Sequence, residues 1–114
     1  MSKIRIFALG GLDEDGKNMY IVENGNDIFA IECGMKYPGA DQLGIEMIIP
    51  DFEYLKENAD RVKGVFITHG HDDVIGALAN LLKEVKVPVY MAPLTAKLFE
   101  RRAKKEGLKD YEIH

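Results

Sequence analysis

The sequence predicts an α/β (α+β) fold: a mixed β-sheet with helices on one face. Three observations carry this. The first third of the chain holds short runs with strand-like alternation, separated by Gly, Asn and Asp. From residue 51 onward, apolar runs alternate with segments whose apolar residues recur every three or four positions. Gly and Pro mark the boundaries between these segments.

Ile4, Ile6 and Ala8 alternate with Arg5 and Phe7 until Gly10-Gly11 interrupts them, which reads as a strand entering a tight loop. Met19-Tyr20-Ile21-Val22 and Ile28-Phe29-Ala30-Ile31 flank Asn24-Gly25-Asn26-Asp27, a set of residues that tolerates positive φ, so residues 18–33 form a β-hairpin. Residues 34–50 contain Gly34, Pro38, Gly39, Gly44 and Pro50 and read as a long loop over one face. Asp51 is placed to cap a short helix with Phe52, Leu55 and Ala59 on its apolar side.

Lys63 to Thr68 is the next strand, and the unalternating Val65-Phe66-Ile67 predicts burial on both faces. Asp73 is then placed to cap a helix carrying Ile75, Leu78, Leu81 and Leu82 on one side. Val87 to Met91 is a further strand. Pro93 opens a helix that runs to about Glu106 and ends at Gly107. Asp110 to Ile113 reads as the start of another strand, and an ending of this kind is expected of a fragment.

The chain has 114 residues, 46% of them apolar, which suits one domain or a piece of one. No apolar run approaches the roughly 20 residues that cross a bilayer, and the N-terminus lacks a signal peptide's apolar stretch. The single Cys33 can form no internal disulfide and reads as a small buried apolar residue; a cytoplasmic location is expected. Residues 1–60 carry 5 Lys/Arg against 12 Asp/Glu, a net −7, and residues 61–114 carry 10 against 7, a net +3. A global attraction to an acidic polymer is thereby excluded, and any nucleic-acid contact has to be local. Lys97, Arg101, Arg102, Lys104 and Lys105 make a basic helix. It reads first as a solvated face with Leu94, Leu98 and Phe99 packed inward, and second as an RNA or protein contact.

His69-Gly70-His71-Asp72-Asp73 follows directly on the strand ending at Thr68. In extended backbone, residues two apart project from the same side, so His69 and His71 can converge on one ion, with Asp73 as the carboxylate of the cluster. Val74 follows, and a valine offers no lone pair. His114, the third histidine, reads as an exposed terminus rather than a ligand. Gly10-Gly11 lacks the Gly-x-Gly-x-x-Gly or Lys-Ser/Thr companions of a phosphate cradle, and a tight turn beside the metal loop explains it better.

Thr68-His69-Gly70-His71-Asp72-Asp73 resembles the signature of the metallo-β-lactamase fold, whose hydrolases carry His-x-His-x-Asp-His. The resemblance implies an αββα sandwich of which this chain is the N-terminal half. It also implies a zinc centre with His69 and His71 on one metal and Asp73, a catalytic residue, on the second; Val74 stands where the last histidine ligand is expected. Gly10-Gly11-Leu12, Gly16-Lys17-Asn18-Met19-Tyr20, Tyr37-Pro38, Leu43-Gly44-Ile45, Ile49-Pro50-Asp51, residues 61–67 and Val87-Pro88-Val89-Tyr90 narrow the likeness to the ribonuclease J family of the β-CASP group.

That family implies a metal-dependent ribonuclease of mRNA decay and rRNA processing, with the β-CASP and C-terminal regions outside residues 1–114. The departures are Glu32 in place of the family's usual Asp, Asp13-Glu14-Asp15-Gly16 in place of a Gly-Glu-Ile-Gly style of loop, and Val74. They resemble the catalytically weakened second paralogue, which implies a subunit that binds RNA, partners an active paralogue and joins RNA-decay complex proteins. Metal binding by residues 1–114 alone is then expected to be weak or absent, and nuclease activity absent. The alternatives are an active 5′-3′ exo/endoribonuclease or another hydrolase of this fold. Fold likeness alone does not separate them.

Overall fold

The computed structural model describes residues 3–42, 44–45 and 47–114. Five strands form one sheet: β1 (Ile4–Gly10), β2 (Met19–Asn24), β3 (Asp27–Ile31), β4 (Val62–Phe66) and β5 (Val89–Tyr90), hydrogen-bonded in that order. The first three pair antiparallel, with Asn24 opposite Asp27 at the hairpin end; β3–β4 and β4–β5 are parallel. The helices are α1 (Glu53–Glu57), α2 (Asp72–Ile75), α3 (Leu78–Glu84) and α4 (Pro93–Lys105). This is the mixed sheet expected from the sequence. No helix is long and apolar enough to cross a membrane among the described residues.

The two sheet faces differ. Met19, Ile21, Ile28, Ala30, Val65 and Val89 lie on one face and join Leu55, Leu78, Leu81, Leu82 and Phe99 of the helices in a single buried cluster. Strand alternation puts Ile4, Ile6, Val22, Phe29, Phe66 and Tyr90 on the other face, which no helix covers among the described residues. Ile6 is 73% exposed there and Phe66 38%. Phe66 stacks on Tyr90 at 4.8 Å between centroids, and Tyr90 stacks on His114 at 5.0 Å. Burial of Lys63–Thr68 on both faces is therefore a misreading, because in this chain β4 is packed on one side only.

The helix expected from Asp73 onward is two helices, α2 and α3, broken at Gly76-Ala77. The cause is tertiary. The carbonyls of Asp72, Asp73 and Val74 accept the N–H groups of Met35, Asn18 and Cys33 at 2.9, 3.1 and 2.7 Å, and Ala77 N–H donates to the Cys33 carbonyl at 2.9 Å. The Asp72 carbonyl also accepts Gly76 N–H at 3.0 Å, but the Asp73 and Val74 carbonyls and the Ala77 N–H, which would continue the helix, are committed to other segments. Asp73 accordingly sits inside the first turn of α2 and does not cap it.

Other elements follow the expected pattern with local differences. The cap residue of α1 is Phe52 and not the expected Asp51, which lies one position earlier and accepts Glu53 N–H at Oδ1 at 2.9 Å; Ala59 is exposed in a following 3₁₀ turn. The 34–50 loop is pinned by a bridge between Lys36 and Ile48; the Leu43 of the Leu43-Gly44-Ile45 segment lies outside the described residues. Helix α4 stops before Gly107, whose φ of +75° suits glycine. The expected strand at 110–113 is a single parallel bridge from Ile113 to Val89.

Candidate metal centre

The metal loop leaves the carboxyl end of β4, next to the carboxyl end of β3, and open α/β sheets characteristically place their ligands at this edge. Register explains which residues meet there. Ile31 lies opposite Phe66 in the parallel ladder, so the residues that follow, Glu32 and Thr68, are brought side by side. Glu32 has φ +68° and is 6% exposed. Its Oε1 accepts Thr68 N–H at 2.8 Å and its Oε2 accepts the Thr68 hydroxyl at 2.7 Å. Both oxygens of this carboxylate are therefore bonded to the first residue of the metal loop. Thr68 Oγ1 in turn lies 2.9 Å from His69 Nδ1.

His69, His71 and Asp73 come together as the sequence predicts. One donor atom from each lies within 4.8 Å of the others, the two imidazoles are exposed, and their rings meet edge to face at 4.7 Å. Two imidazole nitrogens and a carboxylate oxygen are the donor set of a divalent transition ion such as zinc, which takes three protein ligands and keeps an open position in catalytic sites. These donors fit ions of that kind. Val74, next in the chain and 3% exposed, adds no donor to the cluster.

Asp73 is held from outside its own loop. Asn18 Nδ2 donates to Asp73 Oδ2 at 3.2 Å and Asn18 N–H donates to the Asp73 carbonyl at 3.1 Å. Asn18 ends the loop after β1. That loop is braced by Glu14, which accepts Gly11 N–H at 2.9 Å and pairs with Lys36 at 3.0 Å and Lys17 at 3.6 Å. The Gly11 N–H and the Lys36 ammonium hold the Glu14 carboxyl below its ordinary range.

The approach of Gly34 to the metal loop requires glycine: a Cβ there would lie 1.7 Å from the Asp73 carbonyl oxygen, which is backbone.

Asp72 performs a different task from Asp73. Its carboxylate accepts the Tyr37 hydroxyl at 2.6 Å and pairs with Arg102 of α4, which ties the 34–50 loop and α4 to the metal loop. The hydrogen bond to Asp72 raises the Tyr37 phenol above its usual value. A cleft of about 860 Å³ opens beside this contact, lined among others by Gly70, Asp72, Leu98, Arg101, Arg102 and Lys105.

Leu94 and Leu98, expected to face inward, are 73% and 44% exposed, and Phe99 alone of the three is buried. Cys33 is buried as expected, and burial pushes its thiol well above the ordinary range, away from reactivity. His114 is exposed at the far end of the aromatic row, hydrogen-bonded to Glu112.

Sequence reasoning missed Asn18, Tyr37 and Arg102 as site residues. Asn18 stands 55 positions from Asp73, and no local pattern links them.

Comparison with known proteins agrees with this geometry. The chain is 48% identical over 104 residues to ribonuclease J2 of Bacillus subtilis and 55% identical over 92 residues to ribonuclease J of Mycoplasma pneumoniae. Those alignments take in 91% and 81% of this chain, but the chain spans only 19% and 16% of the length of those relatives. Human tRNase Z, short form, superposes on all of this chain and 45% of its own with a TM-score of 0.54; at 18% identity this bears on the fold alone. The model of the Metallo-beta-lactamase superfamily matches residues 12–112, from the loop after β1 through the metal loop to the end of the sheet, and the chain belongs to that superfamily.

Proposed function

We propose that these residues are the N-terminal part of a metallo-β-lactamase domain in a cytoplasmic ribonuclease J-type protein of RNA processing and decay. In this reading the protein has weak or no nuclease activity of its own and serves as partner subunit of an active paralogue. The observation that carries the reading is Val74, a buried aliphatic residue at the place of the last ligand in an otherwise intact loop. Divalent ions, zinc in this family, supply water activation and neutralise charge on a phosphodiester when bound. What the chain itself provides is His69 and His71 as one ion's imidazole pair and Asp73, fixed by Asn18, as the carboxylate of the second.

RNA as the ligand is supported by the cleft beside Gly70. Arg102 is engaged with Asp72, but Arg101 and Lys105 are exposed and take part in none of the ion pairs among the described residues. They put local positive charge beside the metal loop of an otherwise acidic chain, which suits a phosphate backbone.

The deciding assay is turnover of 5′-monophosphorylated RNA by the purified full-length protein, beside a ribonuclease with an intact His-x-His-x-Asp-His loop. Activity lower by roughly 100-fold or more is expected, the scale of loss for a damaged metal shell. Equal turnover overturns the weak-enzyme reading in favour of an active exo/endoribonuclease. Recovery of the active paralogue with the tagged protein supports the subunit role.

A further inference from the structure

We infer that Glu32, acting through the Thr68 hydroxyl, holds the His69 ring in its Nδ1–H form and so presents the Nε2 lone pair to the cation. The argument is proton counting. A threonine hydroxyl has one proton to give and two lone pairs to offer. Thr68 Oγ1 has two partners at hydrogen-bond distance, Glu32 Oε2 at 2.7 Å and His69 Nδ1 at 2.9 Å. A carboxylate oxygen can only accept, so the hydroxyl proton goes to Glu32. The contact with His69 is then a hydrogen bond only if the imidazole is the donor. A neutral imidazole that carries its proton on Nδ1 has its lone pair on Nε2.

Glu32 is fixed in the one orientation that sets this up. Its other oxygen accepts Thr68 N–H at 2.8 Å, its own N–H donates to the Phe66 carbonyl at 2.9 Å, and its side chain is 6% exposed. Both carboxylate oxygens thus bind the same residue, one through the backbone and one through the hydroxyl, and the carboxylate cannot turn away without losing both. Glu32 and Thr68 are positioning residues: neither is among the candidate ligands. The inference rests on the metal-loop reading of the site and is independent of whether the substrate is RNA.

The test reads the tautomer directly. Long-range ¹H–¹⁵N spectra of the metal-free protein, taken where the imidazoles are neutral, should show His69 Nδ1 as the protonated nitrogen and Nε2 as the bare one. The reverse pattern, or an even mixture, overturns the inference. Thr68→Val removes the acceptor while keeping the shape, and should release His69 to a mixture of tautomers and weaken Zn²⁺ binding, measured by competition with a chromophoric chelator, by about 10–100-fold. Thr68→Ser should restore both. A purely structural role for Thr68 would lower thermal stability in Thr68→Val and leave the tautomer unchanged, which also overturns the inference. Should Thr68→Val fail to fold, the spectrum of the unmodified protein still decides. Because the tautomer is read without metal, a correct tautomer with no Zn²⁺ binding would sink the metal-loop reading and leave the Glu32–Thr68–His69 relay standing.

Discussion

Asn18 grips Asp73 twice, by its side-chain amide at Oδ2 and by its backbone N–H at the carbonyl, and its own carbonyl accepts Gly34 N–H at 2.9 Å. One residue thus fixes the candidate carboxylate ligand and joins it to the segment after β3.

Asn18→Ala should therefore free the Asp73 carboxylate while keeping the backbone bond. A half-buried hydrogen bond to a charged acceptor is worth about 1.5 kcal/mol. Urea denaturation should show a loss of that order, and titration calorimetry with Zn²⁺ should show weaker binding. A variant with unaltered stability and metal affinity would deny Asn18 any role in holding Asp73.

Gly34→Ala drives a methyl group into the Asp73 carbonyl, whose neighbours are committed to Asn18 and Cys33. Backbone on both sides has to move, so a loss near the top of the overpacking range, about 3 kcal/mol, is expected together with loss of Zn²⁺ binding. Gly44→Ala serves as the contrast: its φ of +84° is strained for alanine, but a Cβ there meets nothing within 4 Å. It should lower stability moderately and leave the metal loop intact.

Val74→His supplies the donor that the loop lacks. In the full-length protein a second equivalent of metal should appear in elemental analysis, and nuclease activity should rise if the other ligands of that ion are present. A gain of metal without activity would point to further losses elsewhere in the domain.

Acid should loosen the loop that carries Asn18. Glu14 has its folded-state pKa depressed below the ordinary value of 4.5, first by the Gly11 N–H and then by Lys36. A depressed carboxylate stabilises the fold fully above its unfolded pKa, and the contribution fades as pH falls through the lower folded value. Thermal midpoints followed downward from pH about 5 should fall more steeply for the unmodified protein than for Glu14→Gln. Parallel curves would show that the Glu14 contacts carry no stability.

Arg101→Glu with Lys105→Glu tests the cleft. If both side chains neutralise phosphates, the slope of log affinity for single-stranded RNA against log salt should become shallower by at least about 1.4, that is, two contacts at 0.7 each. Exchanging Lys63, near the amino end of β4 and paired with Asp27, should change neither affinity nor slope.

The part of the site legible in the sequence is the part that is local. His69, His71 and Asp73 fall within five residues, so their spacing alone points to a cluster. Asn18, Tyr37 and Arg102 reach the loop from 55, 35 and 30 positions away, through contacts that only tertiary structure creates. The break between α2 and α3 was hidden for the same reason: Ile75, Leu78, Leu81 and Leu82 do repeat at helical spacing, but the carbonyls of Asp73 and Val74 are claimed by the N–H groups of Asn18 and Cys33. Leu94 and Leu98 carry the same spacing as Phe99 yet face outward, because periodicity names a stripe without saying what covers it. Val65-Phe66-Ile67 misled in the opposite direction, since an unbroken apolar run predicts two covered faces and β4 has one.

The row formed by Phe66, Tyr90 and His114 on the bare side of the sheet has a practical consequence for handling residues 1–114. A flat oily wall of this kind seeks any similar surface, including a second copy of itself, so light scattering from the isolated polypeptide should climb with concentration and subside when Phe66 and Ile6 are exchanged for threonine. Solubility, rather than folding of the face that is buried, would then set the ceiling for experiments on this polypeptide.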